Sequence, residues 1–143
     1  MKTSLILAVI LTSCTMAARA QTVKSNEVPA PVKAAFQKSY ANATQVTWEK
    51  EKGNYEANWG GKSGEDHSVQ YRPSGELIEV IQAIPISQLP KGVSRYVKAH
   101  YKGARITEAG RVTDAKGKVS FEAEVNKKDI LFDEKGNFLK VED

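Results

Sequence analysis

Cysteine is almost missing from this chain of 143 residues: Cys14 is the only one, and it lies in the first segment. No intramolecular disulfide can form, so the fold must be held by its core alone, even in an oxidising compartment. Histidine is scarce too, with only His67 and His100, which leaves little for nucleophile-plus-base catalysis. Long hydrophobic runs are lacking. Residues 5–11 form the most apolar stretch, far below the roughly 20 residues needed to span a bilayer, so no transmembrane span is expected. Strong charge of one sign is lacking as well. The formal net charge is +4, too mild to argue for nucleic acid or an anionic membrane as partner.

What is present begins with an address. Lys2, the apolar run of residues 5–11, and Ala18-Arg19-Ala20 before Gln21 have the order of a secretory signal, residues 1–20, with cleavage expected after Ala20. Leu11-Thr12-Ser13-Cys14 also resembles a lipobox, in which the cysteine is acylated and becomes the new N-terminus. The segment before Cys14 is short for such a signal, so soluble export to the periplasm or medium is favoured over a lipid anchor. Losing Lys2 and Arg19 leaves 19 basic against 17 acidic residues, a balance of only +2. The remaining 123 residues suffice for one compact domain that buries about two-thirds of its unfolded surface.

Residues 21–27 are polar and without period, and read as a flexible lead-in. Val32, Ala35, Phe36, Tyr40 and Ala43 then recur at spacings of three and four, which predicts an amphipathic helix over about 30–41 with Pro29 and Pro31 at its start. Four strand patterns follow, at 44–51, 55–59, 67–72 and 77–84. Tyr55-Glu56-Ala57-Asn58-Trp59 alternates strictly between apolar and polar, the period of a strand with one buried and one wet face. The fourth pattern is apolar on both faces, as in a strand inside a sheet or one bridging two halves.

From Leu89-Pro90 the pattern starts again. At an offset of 61, Pro29 matches Pro90, Val32 matches Val93, Tyr40 matches Tyr101, Tyr71 matches Phe132 and Gly75 matches Gly136. Phe121-Glu122-Ala123-Glu124-Val125 is the second copy of the 55–59 strand. The chain is a tandem duplication, with unit one at 28–84 and unit two at 89–143. The expected fold class is α+β: two helix-plus-four-strand units sharing one antiparallel sheet, with both helices on one face.

Val46-Thr47-Trp48-Glu49, Tyr55-Glu56-Ala57 and Tyr71-Arg72-Pro73-Ser74-Gly75, together with Tyr101-Lys102-Gly103-Ala104, Phe121-Glu122-Ala123-Glu124 and Phe132-Asp133-Glu134-Lys135-Gly136-Asn137, resemble the PepSY-like, beta-lactamase-inhibitor-like family of exported bacterial proteins. The resemblance spans nearly the whole chain after the leader. It implies tandem helix-on-sheet units, life outside the cytoplasm and, by analogy, protein binding or peptidase regulation.

Candidate chemistry is sparse. Glu65, Asp66 and His67 are consecutive, so in a strand their side chains alternate between faces and cannot chelate one ion. No segment resembles a nucleophile elbow, and no catalytic residue, metal or cofactor is expected. The segment 133–137 reads as a hairpin turn. Two surfaces remain as partner sites. Alternation aims Glu56, Asn58, Gln70, Glu122 and Glu124 away from the helices, onto an open sheet face where another exported protein would bind. Lys91, Arg95, Lys98, Lys102 and Arg105 recur at four, three, four and three. That stripe is either a docking surface for an acidic partner, anionic headgroups or an envelope polymer, or the solvated side of an amphipathic helix, and the second reading is favoured. A small-ligand or envelope-polymer binder is the alternative to protein binding. The oligomeric state is left open.

Overall fold

The computed structural model describes residues 20–142. The leader and Cys14, and with them the choice between soluble export and a lipid anchor, lie outside the described residues. The two apolar stripes form α1 (Ala30–Ser39) and α2 (Lys91–His100), set 61 residues apart. Their ends repeat bond for bond. Tyr40 N–H donates to the Phe36 carbonyl and Tyr101 N–H to the Val97 carbonyl, both at 2.8 Å, and Ala43 and Ala104 then close the same turn on Tyr40 and Tyr101 at 3.0 Å. A proline precedes each helix, Pro29 and Pro90, where the missing N–H costs no intrahelical bond.

Nine strands follow the chain in order across one sheet, each antiparallel to its sequence neighbours. They are β1 (Gln21–Val23), β2 (Thr47–Glu51), β3 (Asn54–Trp59), β4 (His67–Tyr71), β5 (Leu77–Ala83), β6 (Ile106–Asp114), β7 (Val119–Val125), β8 (Lys128–Asp133) and β9 (Phe138–Glu142). The sheet therefore has one strand more than two four-strand units would supply. The extra strand corrects the expected flexible lead-in: β1 pairs with β2 through Thr22↔Glu49 and Val23↔Trp48, and Ser25–Glu27 form a 3-10 turn before α1. Three residues are too few for alternation to show in the sequence. It is the free edge of β2 and the partly buried Val23 that hold them.

β5, apolar on both faces in sequence, is the strand that joins the units, pairing with β4 on one side and β6 on the other. The cores lie on either side of this junction. Val32 and Phe36 of α1 pack on Trp48, Tyr55, Ala57, Val69 and Tyr71; Val93 and Val97 of α2 pack on Ala109, Ala123, Val125, Ile130 and Phe132. Phe36 meets Trp48 and Trp59 edge-on at 5.2 and 5.3 Å, the geometry that ring quadrupoles favour. The aromatics of the first unit are thus packing residues. Val80 packs against the first cluster and sits opposite Thr113, which lies on the same strand face as Ala109 of the second. Both helices therefore cover one side of the sheet.

One glycine contact repeats as well. Gly75 and Gly136 turn into β5 and β9 with φ of +86° and +82°, and each touches the first turn of its unit's helix. A Cβ on Gly75 would lie 2.6 Å from the Pro31 carbonyl oxygen, and a Cβ on Gly92 would lie 2.6 Å from that of Gly136. Gly→Ala in a helix ordinarily stabilises by about 1 kcal/mol. At Gly92 the sign should reverse, because backbone faces the added methyl and must shift, a strain of about 1–3 kcal/mol. Gly92→Ala is expected to lower the melting temperature by several degrees in circular dichroism; a rise would show that the helix start is not clamped by the 133–137 turn.

Candidate functional site: an acidic trough on the uncovered face

The face turned away from the helices is not flat. Register shifts interrupt three strand pairs, at Gln70/Tyr71, Ile106/Ala109 and Leu131/Phe132, and such bulges bend a strand and increase its twist. In a flat sheet β2 and β8 would stand six spacings apart, about 29 Å. Here residues from β2 through β9 line a single cavity of about 380 Å³, so the sheet curls around it.

The walls of that trough are carboxylates. Glu49 and Glu51 come from β2, Glu56 from β3, Glu79 from β5, Glu108 from β6, Glu122 and Glu124 from β7, Asp129 from β8 and Glu142 from β9, with Glu65 at the approach to β4. Ten of the chain's 17 acidic residues thus face one concavity, and among the described residues no lysine or arginine lines it. The apolar part of the lining is Ile81 and Ala83, with Ala109 and Gly110. Val112 pairs with Ile81 and Ser120, and Leu131 pairs with Glu122 and Lys140, so both belong to the uncovered side. They are nonetheless only 3% and 8% exposed. Gly110 lies beside them, where a Cβ would come within 3.0 Å of the Ile81 methyl.

The five sheet-face residues read from the sequence all lie on this wall, but none is exposed as expected: Asn58 is buried, and Glu56, Gln70, Glu122 and Glu124 are half-buried. Asn58 is 4% exposed and accepts a hydrogen bond from the Ser68 hydroxyl. It positions its neighbours rather than offering itself to a partner. Glu122 was expected in open solvent. It is instead deep in the trough, where burial, followed by the charges of Asp129, Glu142, Glu79 and Glu56, pushes its pKa from the ordinary 4.5 up to about 8. The reason is common to both: curling brings strands distant in sequence over them. Glu56 accepts from Gln70 Nε2 at 3.4 Å; its pKa is raised by burial, against the lowering effect of its hydrogen bonds with Asn58 and Gln70. Glu124 accepts from the Thr107 hydroxyl. Burial also raises Glu79, with Glu142 adding to it, and Asp129, with Glu124 adding to it.

Alternation along 44–51 aims Glu49 to this face as well, but the sequence pattern does not place Glu51, Glu65, Glu79, Glu108, Asp129 and Glu142 there. Glu51 shares parity with Glu49, and Glu79 interrupts an apolar run, so both carried a signal. Their convergence with the second unit did not.

The basic stripe stands apart from the trough. Lys91, Arg95 and Lys98 project from α2, Lys102 and Arg105 follow it, and all five are exposed. His67, the other candidate for chemistry, stacks on Trp59 at 5.4 Å. Among the described residues no three His, Cys, Asp or Glu are placed to hold a metal ion, and no helix is long and apolar enough to cross a membrane. The 133–137 segment is a hairpin turn: Asp133 Oδ1 accepts from the Lys135 and Asn137 N–H groups at 2.9 and 2.8 Å.

A curved antiparallel sheet with two helices on one side and a concave polar face on the other defines an α+β module of the kind that presents a surface. The family described as "Putative beta-lactamase-inhibitor-like, PepSY-like" matches the chain twice, over residues 14–79 and 63–140, and the chain belongs to that family. Solved structures share the fold. One of the "putative periplasmic proteins" of Bacteroides eggerthii has a TM-score of 0.64 at 22% identity, covering 80% of this chain and 88% of that one. A DUF2874 family protein of Bacteroides uniformis gives 0.63 at 23% over 80% and 88%, and a BLIP-like protein of Bacteroides fragilis gives 0.56 at 21% over 80% and 86%. At these identities the likeness is one of fold. No curated protein matches the chain.

The raised carboxyls fix how stability varies with pH. Between about 4.5 and about 8 the folded chain holds a proton on Glu122 that the unfolded chain has released, so unfolding becomes easier as pH rises through that window. The contribution is whole below the unfolded pKa and is lost above the folded one, an effect on the order of 5 kcal/mol at 1.36 kcal/mol per unit. Glu56, Glu79 and Asp129, also raised, act in the same direction. The melting temperature is expected to fall from pH 5 to pH 9, and Glu122→Gln to flatten the slope. A variant with the wild-type slope would show that Glu122 carries no such proton.

Proposed function

We propose that this chain is an exported, non-enzymatic binding module that takes a basic segment of another exported protein into the acidic trough. One observation carries the reading: ten carboxylates line one concavity whose floor includes the apolar Ile81 and Ala83. Lysine and arginine have this shape of chemistry, an apolar stem ending in a cation. Seated there, the stem would lie on the floor while the head met the walls, relieving the repulsion that adds to burial in raising Glu122. Complementary charge of this kind steers encounter and selects partners. The family's likeness to beta-lactamase inhibitors, and the BLIP-like description of the Bacteroides fragilis structure, support a protein rather than a metabolite as the occupant; a peptidase is the class that the family resemblance implies. The periplasmic description of the Bacteroides eggerthii protein supports export.

A peptide alternating lysine or arginine with leucine serves as the probe. Calorimetry is expected to show binding at about 20 mM salt and at least tenfold weaker binding at about 500 mM, as the screening length shrinks from roughly 20 Å to under 5 Å. Glu49→Gln, Glu56→Gln and Glu79→Gln combined should abolish it, whereas Glu76→Gln with Glu134→Gln, which alters two exposed acids outside the trough, should leave it unchanged. Equal loss in both variants would reduce the effect to net charge and sink the assignment of the trough.

A further inference from the structure

The two copies differ at one corner, where the end of each helix meets the end of a strand beneath it. Copy two closes that corner with Val125, which is fully buried. Copy one has Trp59 at the last position of the matching strand, and it is only half-buried. Tyr40 and Tyr101 correspond, but at the same offset of 61 Asn42 stands against Gly103 and Thr44 against Arg105. The fold therefore builds this corner once without an indole, an amide or a threonine hydroxyl, so folding alone does not call for them in copy one.

Trp59, Asn42 and Thr44 border a single cavity of about 360 Å³, with Ser39, Tyr40 and Gly60 beside them. It lies on the helix side of the sheet, because Trp59 is in phase with the buried Tyr55 and Ala57, and so it is separate from the acidic trough. The indole is fixed in place. Phe36 meets it edge-on at 5.3 Å, Tyr40 lies at 4.8 Å and His67 stacks on it at 5.4 Å. Gly60 permits that stack, since a Cβ there would come within 3.0 Å of the His67 ring. Ser39, Asn42 and Thr44 are exposed at the rim, and among the described residues no charged side chain lines the cavity.

Two half-buried rings beside hydroxyls and an amide match a ligand with an apolar C–H face and neutral hydroxyls around its edge. A pyranose has that chemistry. A carboxylate or phosphate would find no cation in the wall, and an ammonium no carboxylate. The volume is at the low end of the roughly 300–1,000 Å³ of small-molecule pockets, which suits a mono- or disaccharide unit. We propose that this cavity binds a neutral pyranose, its C–H face against Trp59 and Tyr40 and its hydroxyls hydrogen-bonded to Ser39, Asn42 and Thr44. The trough opens on the other side of the sheet, so both can be filled at once.

Fluorescence reads this site directly, because Trp59 is one of only two tryptophans and the other, Trp48, is buried. The purified exported chain, without any peptide, is titrated with glucose, N-acetylglucosamine, cellotetraose, maltotetraose and tri-N-acetylchitotriose. At least one is expected to change the emission saturably below about 10 mM, and equally at about 20 mM and about 500 mM salt, since no charge takes part. Saturation by a monosaccharide marks a free sugar as the ligand; saturation by the oligomers alone marks a glycan chain. Asn42→Gly with Thr44→Ala changes two exposed side chains, leaves folding little affected and should weaken binding about tenfold. Trp59→Val gives copy one the residue of copy two and should abolish binding in calorimetry, with melting temperatures measured in parallel. The proposal is overturned if no sugar of the panel binds, if binding weakens with salt, or if it persists at wild-type strength in the Asn42→Gly, Thr44→Ala variant or in a folded Trp59→Val variant.

Discussion

Two helices of ten residues cannot cover both faces of nine strands, and most of this structure follows from that shortfall. The covered side is apolar and closes two cores around Val32, Phe36, Val93 and Val97. The uncovered side has to meet water, and alternation along each strand fills it with glutamate, serine and glutamine. Had the sheet stayed flat, those carboxylates would be spread over tens of ångströms and screened from one another. Because bulges curl it, they converge. A solubility device on each strand becomes, across the sheet, a half-buried cluster in which burial first, and the neighbouring charges after it, keep a proton on Glu122 near neutrality.

Duplication explains how so small a unit is stable without disulfides. One helix on four strands buries too little to stand alone, and β5 lets two such units share an edge that each would otherwise expose. The copies have diverged where packing permits. The first fills its core with Phe36, Trp48, Tyr55 and Trp59, the second with Ile130, Phe132 and small residues such as Ala109 and Ala123. They have not diverged where backbone meets backbone. The contact between the Gly75 turn and Pro31 reappears between the Gly136 turn and Gly92, since a Cβ on either turn glycine would meet the backbone at the start of its helix.

Local periodicity made α1, α2 and eight of the strands legible, each within about three residues of its bounds, because one wet and one dry side write themselves into neighbouring positions. β1 was hidden because three residues carry no period. The faces of β3 and β7 were legible too: Tyr55 and Ala57 are buried, as are Ala123 and Val125, and Glu56 and Glu122 point the other way. Depth was not. Whether a residue on the wet side is exposed depends on strands up to six positions away across the sheet, and on bulges placed by pairing rather than by residue type. Asn58 and Glu122 read as surface residues for that reason, and Asp129 and Glu142 did not read as their neighbours.

The mild net charge of the chain concealed a separation of charge. Ten acids line one concavity, and the five cations of the basic stripe are displayed along α2 and its exit, on the side of the sheet that the helices cover. Net charge averages these away, yet a partner within a screening length of either surface meets only one sign. The trough carries the stronger claim to function, because its acids are held together against repulsion and burial, whereas the stripe is solvated at no such cost. Carboxylates that are kept close and partly desolvated gain most when a cation enters, while exposed lysines gain little from an anion that water already replaces. The same physics that makes the uncovered face costly to fold makes it the face that a basic partner would most stabilise.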